Sequence, residues 1–144
     1  MKIETSDLDL FWAAYDRLHG RSEADRIDIL DNEYLGRGSS GLRDFWKSRI
    51  ESSAQLLETM DTHPRYYRAL REVNKQVGTL ANEIRSAYLK FDNLIGSAVL
   101  ADTYMLIGRM NSGGTVSEAG LLIGTEMFGR PKKDFDRRTV GVAP

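Results

Sequence analysis

Residues 104–129 read YMLIGRMNSGGTVSEAGLLIGTEMFG and break with everything before them. Two short apolar runs, residues 104–107 and 121–123, flank the polar segment Asn111-Ser112-Gly113-Gly114-Thr115. Apolar runs of that length, bounded by glycine and small polar residues, predict strands at residues 103–107 and 121–125. Their spacing predicts a small antiparallel β-hairpin whose loop is longer than a two-residue turn. Neither strand alternates cleanly, so both faces are expected to be covered. A lone hairpin is marginal in water, and these strands must therefore pack on helices or pair with something else.

Upstream the chain has another character. Eight of the thirteen glycines lie from Gly96 onward, and between Ser40 and Ile95 only Gly41 and Gly78 occur. Glycine is costly within helices and common in turns, so a helical first two-thirds precedes the strands. Leu8, Phe11, Trp12, Tyr15 and Leu18 share one face of a first helix that begins near Thr5 or Ser6 and ends at Gly20. Ser22-Glu23-Ala24-Asp25 is a variant capping box, Ile27, Leu30 and Tyr34 line the next helix, and Gly36 is expected to cap it. From Ser39 or Ser40, the positions Leu42, Phe45, Trp46, Arg49, Ile50, Ser53, Leu57 and Met60 trace one long helix. After Pro64, a residue suited to a first helical turn, Tyr67, Leu70, Val73, Val77, Leu80, Ile84, Tyr88 and Phe91 trace a second. The expectation is α+β: two short helices, two long antiparallel ones, and the hairpin.

One domain over residues 1–129 suits a chain of 144 residues, with 130–144 as a flexible tail. In that tail Arg130, Lys132, Lys133, Arg137 and Arg138 stand against Asp134 and Asp136, a local charge of 5 − 2 = +3. Over the whole chain, 20 basic residues nearly cancel 21 acidic ones, which argues against nucleic acid as a partner. The absence of cysteine excludes disulfides, thiolate metal sites and a cysteine nucleophile. The start carries acidic residues where a secretion signal needs a positive region and an apolar run, and this with the lack of a long apolar stretch points to a cytoplasmic protein with no membrane partner.

Several residues are candidates for chemistry. Asn111, Ser112, Gly113, Gly114 and Thr115 could form a backbone nest for a substrate group, or a hairpin loop whose glycines need positive φ. Glu126, leaving the last strand, could be a buried acid at a cleft, or a solvated or capping carboxylate. His63 with Glu58 and Asp61, or His19, could suggest a metal, but both histidines are better read as helix-end residues. Trp12, Trp46, Tyr66, Tyr67 and Tyr88 fit core positions better than a base-stacking platform. These residues offer no catalytic set and no metal set.

Ile107-Gly108-Arg109, then residues 111–115, then Gly120-Leu121-Leu122-Ile123-Gly124 and Glu126-Met127-Phe128-Gly129, together resemble a family of predicted zinc-dependent proteases. These are bacterial domains of unknown function with a zincin core. The likeness extends to Ile3, Thr5, Asp7, Phe11, Trp12, Ala14, Tyr15 and Leu18, and to Tyr34, Leu35, Gly38, Gly41, Leu42, Phe45, Arg49 and Ile50. The family continues into a His-Glu-x-x-His helix that holds zinc and supplies the general base. His19 and His63 do not form that motif. The resemblance therefore implies a truncated or partial protease domain, inactive alone and without cofactor, zinc being expected only in a full-length relative. It also implies that one strand of the pair pairs with extended substrate, with the loop at one end of the cleft. The alternative is a non-catalytic interaction module, binding a peptide or protein along the hairpin or forming a homo-oligomer.

Overall fold

Ser22, Ser39 and Ser52 each turn a hydroxyl onto the backbone N–H three residues on, at 3.2, 3.1 and 3.2 Å, and each opens a helix. The structure, a computed structural model, describes residues 2–95 and 101–128. The expected tail at 130–144 lies outside the described residues, as does the side chain of Tyr88. In chain order the elements are β1 (Ile3–Glu4), α1 (Ser6–Arg17), α2 (Glu23–Ile29), α3 (Ser40–Phe45), α4 (Ser53–Thr62), α5 (Pro64–Asn74), α6 (Val77–Ile95), β2 (Thr103–Leu106), β3 (Gly114–Ser117) and β4 (Gly120–Gly124). A 3₁₀ turn, Thr125–Phe128, follows. The fold is α+β, and no described helix is long and apolar enough to cross a membrane.

Both long helices of the sequence reading are interrupted, so six α-helices are described rather than four. The first passes from α3 into a π-helical turn, Trp46–Ile50, and stops at Glu51, whose φ is +72°. Carbonyls freed at that stop are taken by a distant side chain: Arg109 Nε donates to Arg49 O at 3.1 Å and to Ile50 O at 2.9 Å. The second stops after Asn74, whose side chain lies in the core between Trp12 Nε1 (2.9 Å) and Thr125 Oγ1 (3.3 Å). Apolar periodicity ran through both breaks because the segments on either side face the same core. Gly36 ends a π-helical turn, Leu30–Leu35, but with φ −64° it is no left-handed cap.

The hairpin also needs correction. The two runs assigned to it, β2 and β4, pair in parallel, with Thr103 opposite Leu121 and Leu106 opposite Gly124. The antiparallel partner of β4 is β3, which begins inside the segment read as loop. With β1 parallel to β2, the sheet has four strands in the order β1-β2-β4-β3. At the β3–β4 turn only glycine fits, because Gly120 has φ +142° and a Cβ there would stand 2.1 Å from Asp102 O.

Pairing fixes the two faces of the sheet, since side chains alternate along a strand. Tyr104, Leu106, Leu122 and Gly124 share the face covered by α1 and α3, and Tyr104 lies so near Gly41 that a Cβ would reach its ring at 2.3 Å. Beyond them Phe11, Trp12, Tyr34 and Trp46 stack edge to face, with centroids 4.8–5.9 Å apart. Met105, Leu121, Ile123 and Val116 share the other face. Among the described residues the start of α6 approaches this face: Val77 and Ala81 are buried, while Leu80 and Leu89 are exposed.

Candidate functional site

The segment leaving β2 is held at almost every backbone group. Tyr34 Oη donates to Ile107 O at 2.7 Å and accepts from Ile107 N at 2.9 Å. Tyr67 Oη donates to Gly108 O at 2.7 Å, and Thr125 Oγ1 to Leu106 O at 2.9 Å. Burial pushes both phenols well above their ordinary pKa, so they remain protonated donors.

Glu126 is the centre of this arrangement. It is fully buried, and its carboxylate accepts from Gly108 N at 2.9 Å and Met110 N at 3.0 Å. Tyr66 Oη donates to its carbonyl. Burial raises the pKa of the carboxyl above its ordinary value, and the two amide donors pull against that shift. Of the alternatives left open by the sequence, the carboxylate is thus buried and caps a neighbouring segment. It faces backbone and holds the strand-like loop, including Met110 at φ +63°, in place.

The other candidate residues lie at the edge that this loop leads into. Asn111 Nδ2 donates to Arg49 O at 2.9 Å, and Ser112 Oγ to Gly114 O at 3.3 Å. Gly113 and Gly114 do not adopt positive φ, contrary to the loop reading; Met110 and Gly120 do. Gly114 and Thr115 instead belong to β3, the last strand of the sheet. Gly124 N donates to Gly113 O at 3.2 Å, which sets the phase of the ladder. Antiparallel bonding alternates, so Thr115 and Ser117 bond to β4 while the N–H and C=O of Gly114 and Val116 point outward. The Val116 side chain is 76% exposed. Among the described residues, Ser112 Oγ alone is bonded to this outer edge.

Two groups that the sequence reading did not single out frame the edge. Arg49 is half-buried and reaches Thr115 Oγ1 with Nη2 at 3.3 Å, while its Nε is buried without a partner. Its signal was present, since a charge stood on the apolar period of the third helix. On the opposite face, a groove of about 600 Å³ runs between α6 and the sheet, lined by Val77, Leu80, Ile84, Met105, Ile123 and Phe128 among others. Phe128 is 69% exposed beside it.

The histidines are not brought together into a site. His19 is exposed just beyond α1, and His63, between α4 and α5, sets Nδ1 3.2 Å from Thr59 O. Asp61 is engaged by Arg26 at 2.8 and 2.9 Å. Among the described residues no group of three or more histidines and carboxylates is placed to hold a metal ion. Of the aromatic residues read as core, Trp12, Trp46 and Tyr67 are buried and Tyr66 packs partly buried against the core, while the side chain of Tyr88 lies outside the described residues. No family model, curated protein or solved structure matches this chain.

Proposed function

We propose that this chain is the scaffold side of a zincin-like peptidase cleft: it offers β3 as the strand on which an extended peptide docks, and it carries no metal site of its own. The observation that supports this most is the outer edge of β3. Among the described residues, the N–H groups of Gly114 and Val116 and the carbonyl of Val116 face outward without a partner, and the segment that leads into the strand is held by Glu126, Tyr34 and Tyr67. An edge of this kind binds by adding a strand, with main-chain hydrogen bonds for affinity and alternate side chains for selection. Glu126, Asn111 and Ser112 act here as positioning residues that shape the edge.

Binding of a fluorescein-labelled, blocked pentapeptide of strand-forming sequence tests the reading. Wild-type protein binds it, and Val116→Pro does not, because proline removes an outward N–H while leaving the ladder to β4 intact. Equal binding by both proteins would refute β3 as the docking strand. Incubation with one equivalent of zinc and denatured casein is expected to give no cleavage, and metal-dependent cleavage would contradict the absence of a metal site.

A second reading, a non-catalytic interaction module or homodimer, is favoured by the groove beside α6 with its exposed Leu80 and Phe128. Sedimentation separates the two. Reversible dimerisation weakened by Leu80→Glu supports the module, and a monomer at high concentration opposes it.

A further inference from the structure

We infer that the docking edge selects for an acidic side chain, through Arg49, at the peptide position opposite Thr115. The inference rests on the reading of β3 as a docking strand and names the peptide that it would take.

The guanidinium of Arg49 stands apart from those of the other half-buried arginines described: Arg26, Arg71 and Arg109 are each paired with a carboxylate. Arg49 has no carboxylate partner among the described residues, although it is half-buried and part of its fork is cut off from water. Glu51, two residues on, is taken by Arg109 Nη2 at 2.9 Å and by Gln55 Nε2 at 3.3 Å. A charge kept partly out of water without a counter-ion is costly, and a ligand carboxylate would offset that cost.

Its place follows from the register. Thr115 shares a sheet face with Leu122, and Arg49 reaches Thr115 Oγ1 on that face, at the outermost strand. A peptide hydrogen-bonded to Gly114 and Val116 would lay one residue directly opposite Thr115. That residue's side chain falls on the Arg49 face, within the cross-strand spacing of about 5 Å between β-carbons. Its two neighbours turn to the other face, beside Val116, where the surface is apolar. The recognised pattern is apolar-acidic-apolar in an extended chain, and the acid is a side-chain carboxylate.

Three acetylated, amidated pentapeptides test this: Thr-Val-Asp-Val-Thr and the same sequence with Asn or Lys at the centre, each titrated into wild-type protein and Arg49→Gln. Wild type is expected to bind the Asp peptide about tenfold more tightly than the Asn peptide, less so in high salt, and the Lys peptide most weakly. Arg49→Gln is expected to bind the Asp and Asn peptides alike, with the preference for Asp lost. Equal binding of all three by wild type overturns the assignment to Arg49 while leaving the docking strand in place, and this comparison needs no variant to fold. Binding of none of them overturns the docking strand itself, and the inference with it. A preference for Asp that survives in folded Arg49→Gln places the selecting charge elsewhere and overturns the inference as well.

Discussion

At one margin of the sheet β1 is two residues long, carries the Lys2–Glu4 ion pair at 2.9 Å, and passes at once towards α1. At the other, β3 runs four residues, Gly-Thr-Val-Ser, without a charged side chain. Short length, lysine and a following helix are devices that keep an edge from pairing with other chains. The β1 edge has all three and the β3 edge has none, although both belong to one small sheet. What β3 has instead is backing: buried hydroxyls and a buried carboxylate hold the segment that leads into it. An edge that is rigid but unguarded is what strand addition requires, because less ordering is left to be done on binding.

The backing can be removed first, with the largest expected effect. Glu126→Ala leaves the N–H groups of Gly108 and Met110 buried without acceptors, and should cost about 2–5 kcal/mol in urea unfolding. A loss below 0.5 kcal/mol, the scale of a neutral surface change, would mean that the segment is held by other means. Its pH dependence has a definite sign. The folded pKa is raised from 4.5, so the stability that Glu126 contributes is full below that value and declines as pH rises through the higher folded value. The gap between wild type and Glu126→Gln should therefore narrow from acidic to neutral pH. A gap that widens would contradict burial as the dominant cause.

Next in size is Tyr34→Phe, which removes both bonds to Ile107 and should cost about 1–3 kcal/mol. Thermal unfolding measures it, and a lowered Tm without loss of helix signal is expected. Val116→Pro should shift stability by no more than about 1 kcal/mol, because its side chain is 76% exposed and its N–H, by the alternation of the ladder, points away from β4. A larger loss would show that the outward groups of β3 are engaged after all. The smallest effect belongs to the guarded edge: Lys2→Ala breaks an ion pair whose lysine is exposed, and should leave the urea unfolding midpoint almost unchanged. Glu4, held near a pKa of about 2 by its hydrogen bonds to Ser6 and then by Lys2, should rise on that change but stay below its ordinary value through Ser6.

Much of the helical layer was legible because its signals are local. Ser22, Ser39 and Pro64 stand where capping and first-turn preferences put them, and each does start a helix. The breaks at Glu51 and after Asn74 were not legible. They are made by Arg109, Trp12 and Thr125, which reach in from distant parts of the chain. The strands at β2 and β4 could be read from their apolar runs, but which strand pairs with which could not. A fully buried run looks the same in a parallel or an antiparallel ladder, and Gly-Thr-Val-Ser is too polar to declare itself a strand. The burial of Glu126 was one of the readings that its place after an apolar strand left open, and the open edge had no sequence signature. Arg49 did, as a charge on an apolar stripe, and only the sheet gave that charge a neighbour in Thr115.

Backbone amide hydrogen exchange across β3, with and without a saturating strand peptide, tests the central claim most directly. In the free protein Thr115 and Ser117 should exchange slowly and Gly114 and Val116 fast, following the alternation of the ladder. On binding, Gly114 and Val116 should become protected while the rest of the sheet is unchanged. Val116 remaining fast in the complex, with new protection appearing along α6 instead, would contradict β3 as the docking strand.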